Sequence, residues 1–387
     1  MGTPIVQIVH YSDLHIVGPD HSLKRALVGR MKHHLWLDWQ QGLEGAERDV
    51  LLAFEDFLKT DIAGDADWAG CPIWLVDTGD GTTFGDDVSL DTWLNDWSVR
   101  FRNACRGAQQ LILYGNHDTW PQTHPLLAPK SMERRRDELR AKWFTDRYPT
   151  VPLREPIPGG GGSEVQLFAV NSVLHGAIEN IRAIGAVRPD RFWEAQQTQK
   201  TAVEELQQLA HGLSSPGGGA PVPHLRIVAM HYPVAENASP GCHFNKILIN
   251  RDQFATEVGN CSFGSPPMFP VFLAGHTHAS FPCPGLLPRS ATFVEHKPFP
   301  PGIIQLVSGS LSQTSLAQPG KAMSYLERLA FDYPFRASVL RLSVPAQQTN
   351  EISIQRITVG CRRGGAFEAL PIVDGGSCFS EDFNVVI

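Results

Sequence analysis

Seven side chains of metal-ligand type stand in five short clusters of this chain: Asp13-Leu14-His15, Gly79-Asp80, Gly115-Asn116-His117-Asp118, His231 and Gly275-His276-Thr277-His278. The seven are Asp13, His15, Asp80, Asn116, His231, His276 and His278. They combine hard carboxylate and amide oxygens with imidazole nitrogen, a mixture that Mn²⁺, Fe²⁺ and Zn²⁺ accept. Asp13 and His15 are two apart, as are His276 and His278, and in an extended segment that spacing turns both side chains to one face. The set suffices for two divalent cations if one carboxylate bridges them. Asp80 is the candidate bridge, because its strand is the middle one of the first three. Paired cations about 3.5–4 Å apart lower the pKa of bound water toward ~7 and clamp an in-line displacement. The chemistry implied is hydrolysis of a phosphate ester by a hydroxide bridging the metals. Two dications outweigh Asp13, Asp80 and that hydroxide by about one charge, which attracts an anionic phosphate. The same charge disfavours a proton on His117, which therefore needs help to act as an acid.

Singly these clusters say little. An Asp-x-His is usually a surface turn, Gly-Asp is a turn dipeptide, and a lone histidine such as His231 is more often a core residue. The information lies in their order and in each one following an apolar run. The remaining histidines fit other roles: His10 belongs to the core, His33 and His34 sit amid Trp36 and Trp39, and His124 and His175 are candidates for touching substrate. The acid-interleaved Arg134-Arg135-Arg136 run reads as a solvated helix face, and Gly159 to Gly162 as a linker or a mobile flap.

The elements that must carry these groups are legible from periodicity. Ile5 to Tyr11, Pro72 to Val76 and Leu111 to Tyr114 read as buried strands. Between them lie two helices, one with Val50, Leu51, Phe54, Phe57 and Leu58 on its apolar face, the other with Leu90, Trp93, Leu94, Trp97 and Phe101 and Ser89 as its N-cap. Alternating strands and helices predict a parallel sheet with crossovers, and such sheets bind ligands beyond the carboxyl ends of their strands. Val165–Val170, Leu225–Met230 and Val271–Ala274 read as further strands, and Asp190 as the start of a helix. Ile303–Val307, Ala337–Leu342 and Ile352–Val359 then follow without helices. The simplest layout is a parallel first sheet joined to an antiparallel second one. The reading gives one domain over residues 1–361 and a weakly patterned, Gly-rich tail over 362–387.

Bulk properties narrow the class. A net charge of −7 over 387 residues argues against a general nucleic-acid binder, since that function needs a basic surface. No run approaches the ~18 apolar residues of a spanning helix, and Met1 to Gln7 lacks the basic and apolar regions of a secretory signal. Seven scattered cysteines without a C-x-x-C pair fit a reduced, cytoplasmic interior.

The order D-x-H, G-D, G-N-H-D, H, G-H-x-H resembles the pattern of the calcineurin-like metallophosphoesterase superfamily, and over roughly residues 1–310 it is most similar to the single-domain bacterial phosphohydrolases. The resemblance implies an α/β fold, a four-layer αββα sandwich of two mixed sheets flanked by helices. It implies one metal at Asp13, His15, Asp80 and His278, a second at Asp80, Asn116, His231 and His276, and His117 outside the metals as the group that protonates the leaving oxygen. The metals would be Mn, Fe or Zn and the substrate a small phosphomono- or phosphodiester, with no membrane and no obligate protein partner. Two positions depart from the pattern. Thr83 stands where many members place the carboxylate that pairs with the acid histidine, leaving Asp86, Asp87 or Asp118 as substitutes. Tyr232 stands in the usual His-His-Pro block. The alternatives are a metal-dependent DNA nuclease of the same superfamily and a non-catalytic interaction module on this fold.

Overall fold

The computed structural model describes residues 2–16, 47–83, 85–119, 140–144, 152–173, 207, 210, 223–234, 251–260, 267–276, 303–312, 333–346, 350–362, 364–370 and 380–387. His33, His34, His124, Arg134 to Arg136, His175, Asp190 and His278 lie outside the described residues. Two mixed sheets pack face to face. The first is seven-stranded. Its parallel half is β1 (Thr3–Tyr11), β2 (Ile73–Asp77) and β3 (Gln109–Ile112). The second sheet runs β4 (Leu153–Pro156), β5 (Glu164–Val170), β6 (Leu225–Met230), β7 (Val271–Ala274), β8 (Ile304–Val307), all parallel except β4.

The late strands do not form an antiparallel sheet of their own, as the simplest layout expects. β9 (Phe335–Val344) lies antiparallel on the free edge of β1, and β10 (Glu351–Cys361) follows it. An open β1 edge would expose unpaired backbone groups, and β9 covers it. The segment from Arg362, read as a tail, also joins this sheet. β11 (Phe367–Ala369) pairs with residues 359–361 of β10 and β12 (Ser380–Val386) with residues 351–357. β10 is long enough to hold both on one edge. The brevity of β11 and the polar start of β12, SEDFNVV, hide them from periodicity.

The interior between the sheets is aliphatic: Val6, Ile8, Val76, Leu111 and Leu340 from the first meet Leu167, Ile227, Leu273 and Leu306 from the second. Each such side chain, buried fully, contributes roughly 1.5–3 kcal/mol. Helices cover the outer faces. α1 (Arg48–Phe57) sets Phe54 against Tyr11, with ring centroids 5.5 Å apart. α2 (Asp87–Asp91) continues through a π-helical stretch, Thr92–Trp97, into α3 (Ser98–Ala104), whose Phe101 lies 5.2 Å from Phe54. The N-cap of α2 is Asp86 rather than Ser89: its carboxylate accepts from the Ser89 backbone N–H at 3.0 Å and from the Ser89 hydroxyl at 2.8 Å. α4 (Arg251–Asn260) covers the second sheet through Phe254 and Phe272, 6.1 Å apart. The result is the αββα layering. No helix among the described residues is long and apolar enough to cross a membrane.

The carboxyl ends of β1, β2, β3, β6 and β7 meet at one end of this sandwich. There the sheets are joined by backbone, with Ser12 bridged to Ser310 and the Ser312 N–H donating to the Asp13 carbonyl at 3.1 Å. Gly159 to Gly162 lie in the β4–β5 turn, closed by the Ile157 N–H on the Ser163 carbonyl at 2.9 Å. That turn precedes β5, whose other end leads to the cluster. The flap reading is therefore replaced by a hairpin turn remote from it.

Candidate metal centre

Four of the sequence-selected residues adopt left-handed backbone conformations: Asp13 (φ 55°), His15 (φ 49°), Asp80 (φ 54°) and His276 (φ 65°). Asp13 and His15 are therefore not in an extended segment, and their common direction comes from successive tight turns. Such positive φ values cost of order 1–3 kcal/mol each and persist where surrounding bonds over-determine them. The bonds are present. The Asp13 N–H donates to the Gly79 carbonyl at 2.9 Å, His15 N–H to Asp80 O at 2.9 Å and Ile16 N–H to Gly81 O at 2.8 Å.

These turns bring Asp13, His15, Asp80, Asn116, His117, His231 and His276 together, none more than 8% exposed. Ligand-capable atoms of His15, Asp80 and His117 lie within 4.8 Å of one another, and so do those of Asp80, His231 and His276. Asp80 is common to both groups. Asp13 adjoins the first, its Oδ1 3.9 Å from His15 Nε2, and holds the second, its Oδ2 accepting the His276 N–H at 3.0 Å.

The donor chemistry fits a divalent cation. His231 Nδ1 lies 2.8 Å from the Thr78 carbonyl. A proton on Nδ1 makes that bond and leaves the Nε2 lone pair facing the cluster, the arrangement that outer partners impose on metal-binding histidines. Around Nε2 lie His276 Nδ1 at 3.1 Å, Asn116 Oδ1 at 3.2 Å and Asp80 Oδ2 at 3.4 Å. These are lone-pair donors crowded together, and one cation satisfies them at once. Without it a proton must do so. Burial opposes charge on His231, yet the Asp80 carboxylate overcomes that and raises it to about 9. Burial likewise opposes charge on Asp80, but His231, His117 and His15 together hold it well below the usual carboxylate range.

The loops beneath are tied to one another. Asp118 is fully buried and accepts from Gly115 N–H (2.8 Å), Thr82 N–H (2.7 Å), the Thr82 hydroxyl (2.8 Å) and Gly81 N–H (3.3 Å). Burial, then the Asp80 charge, raises its carboxyl to about 7. Asp118 thus stitches the Gly-Asp loop to the Asn-His loop. Asp86 caps α2, and Asp87 pairs with Lys142 at 2.7 Å. His117 instead sets Nδ1 3.1 Å from the Thr83 carbonyl, a backbone oxygen rather than the carboxylate the sequence resemblance led one to expect there. The His117 N–H donates to Asp80 Oδ1 at 2.8 Å, and its ring lies 4.6 Å from that of His15. Gly115 is required by contact: a Cβ there would fall 2.1 Å from Asp80 Oδ1 and 2.6 Å from His231 Cε1.

His10 is buried between the sheets, as expected, with Nε2 3.1 Å from Thr78 Oγ1. Two supporting groups escaped the sequence reading. Asp77 ends β2 with its carboxylate accepting from Gly79 N–H at 3.0 Å and from Trp93 Nε1–H at 2.9 Å. Burial raises it well above the usual carboxylate range. Ser172 Oγ accepts the Tyr232 N–H at 2.9 Å, and the Tyr232 ring lies 4.2 Å from His276. An acid closing an otherwise apolar strand is the signal that could have exposed Asp77.

No family model matches the chain, and no curated protein matches it. Among solved structures, the crystal structure of a dimetal phosphatase from Danio rerio is similar at 10% identity, covering 95% of this chain and 98% of that one with a TM-score of 0.42.

Proposed function

We propose that the chain is a calcineurin-like, two-cation phosphoesterase that hydrolyses phosphomono- or phosphodiesters. The observation that carries this is the convergence of His15, His231 and His276, all buried, on the shared Asp80 carboxylate, with Asp13 3.9 Å from His15 Nε2 and Asn116 Oδ1 3.2 Å from His231 Nε2. His15 and Asp13 with Asp80 would hold one cation, joined by His278. Asp80, Asn116, His231 and His276 would hold the other. Bound there, divalent cations supply an activated water and neutralise phosphate charge.

The protein's own groups set the geometry. The Asp80 oxygens are aimed by the His117 N–H, and His231 by the Thr78 carbonyl. His117 has a ring nitrogen within 4.8 Å of ligand atoms of His15 and Asp80, where it can contact a phosphate oxygen or pass a proton to the leaving group. The Thr83 carbonyl, 3.1 Å from Nδ1, orients the His117 imidazole.

The test is turnover of p-nitrophenyl phosphate and of its bis-ester by chelator-stripped protein before and after Mn²⁺ addition, with bound metal counted. The expected result is about two Mn²⁺ per chain and activity only after loading. Protein that takes up no metal, or that is inert to both esters when loaded, refutes the proposal. Cleavage of plasmid DNA without turnover of either ester would favour the nuclease alternative.

A further inference from the structure

We propose that Asp77 and Trp93 form a clamp that positions Asp80 for both cations, an inference that rests on the two-cation reading above. Asp77 is fully buried, in a strand whose other buried residues are Trp74, Leu75 and Val76. An apolar residue would suit that place better, because burying a carboxylate is costly unless its oxygens are matched. Here both are matched, and both partners serve the Asp80 turn. One oxygen accepts the Gly79 N–H at 3.0 Å and the other the Trp93 indole N–H at 2.9 Å.

The turn needs such support. Gly79 (φ 103°) and Asp80 (φ 54°) are successive left-handed residues. On the far side of Asp80 the backbone rests directly on the same indole: a Cβ on Gly81 would fall 1.9 Å from Trp93 Cε2. Asp77 therefore holds the turn at Gly79 and Trp93 backs it at Gly81, with Asp80 between. The indole is itself fixed, buried in the helix that follows α2 and set against Phe144 at 5.9 Å. Because Asp80 belongs to both ligand groups, loosening it should weaken both cations together. Loss of a ligand on one side should weaken one.

The experiment is calorimetric titration of Mn²⁺ into chelator-stripped full-length Asp77→Asn, Trp93→Phe, His15→Ala and unaltered protein, with thermal unfolding of each in the metal-free state. Asn offers one acceptor where Asp offers two, and Phe keeps a ring without the N–H. Both variants are expected to bind each of the two Mn²⁺ roughly 10–100-fold more weakly, the range found for groups that orient ligands, while His15→Ala weakens one step only. A purely structural role predicts lower unfolding temperatures with unchanged Mn²⁺ affinity in the folded protein, and that result overturns the clamp. Weakening confined to one step overturns it too. Trp93→Phe decides the matter where Asp77→Asn fails to fold. If the unaltered protein takes up no Mn²⁺, the phosphoesterase reading falls first, and it falls independently of how the variants compare with one another.

Discussion

The two sheets contribute to the cluster in different ways. On the first sheet, the loops after β1, β2 and β3 are bonded to each other: Asp13 to Gly79, His15 to Asp80, Asp118 to Gly81, Thr82 and Gly115. On the second, His231 and His276 take their orientation largely from across the interface, through the Thr78 carbonyl and the Asp13 carboxylate. Their local support is the Gly275 N–H on the His231 carbonyl and the packing of Tyr232. One half is a frame bonded mainly within itself, and the other is latched onto it. The lesson is that the cluster exists only when the sheets are docked, and that damage to the frame should propagate where damage to the latch should not.

The hardest blow to the frame is removal of Asp118. Asp118→Ala leaves three backbone N–H groups and a hydroxyl buried without their acceptor, each loss costing about 1–3 kcal/mol if uncompensated. Metal-free stability, measured by urea unfolding, is expected to fall by on the order of 4 kcal/mol, with both cations bound more weakly. A fall below about 1 kcal/mol would mean that the loops do not depend on one another.

Gly115→Ala probes the contact where frame and latch touch. The added methyl meets Asp80 and His231 at once, and overpacking of this kind costs typically 1–3 kcal/mol. Mn²⁺ affinity should drop at least tenfold, with the larger loss at the cation shared by Asp80 and His231. Wild-type affinity in this variant would show that the halves are less tightly apposed than the structure has them.

Acid tests the layer beneath the frame. His10 is held neutral, its pKa lowered to about 3, chiefly by burial and then by the nearby Arg356, with Asp13 acting in the opposite sense. Its unfolded value is about 6.5. Its folded pKa lies below the unfolded one, so the unfolded chain gains a proton first as pH falls. Stability is complete above about pH 6.5 and lost progressively below it, by about 2 kcal/mol at pH 5. Comparing the pH slope of metal-free unfolding with that of His10→Gln isolates this part. Identical slopes would place the acid sensitivity elsewhere.

Much of this was readable in the chain because turn chemistry and strand pattern are local. The Gly-Asp, Gly-Asn-His and Gly-His clusters each follow an apolar run, and those runs are the strands that converge. What escaped depends on partners distant in sequence. Asp118 was a candidate partner for His117, but its carboxylate faces a loop some 36 residues earlier. Asp77 could be flagged only as an oddity until Trp93, 16 residues on, was seen to meet it. The left-handed turns at Asp13 and His15 were missed because an i, i+2 pair after a strand reads as more strand. β11 was missed because nothing local marks a three-residue edge strand between glycines, and β12 because its polar, acid-rich start interrupts the apolar pattern.

The finest distinction concerns the latch alone. Ser172→Ala removes the acceptor of the Tyr232 N–H, a loss of about 1 kcal/mol. Tyr232 touches His231 and His276, with ring centroids at 5.0 and 4.2 Å, and these two histidines belong to one of the two ligand groups. The frame, stitched by Asp118, should not register the change. The expected outcome is therefore a several-fold loss of Mn²⁺ affinity in one calorimetric step with the other intact, the converse of the Asp118→Ala result. Equal weakening of both steps would show that the second sheet braces the first as much as the first braces it, and that the division into frame and latch is false.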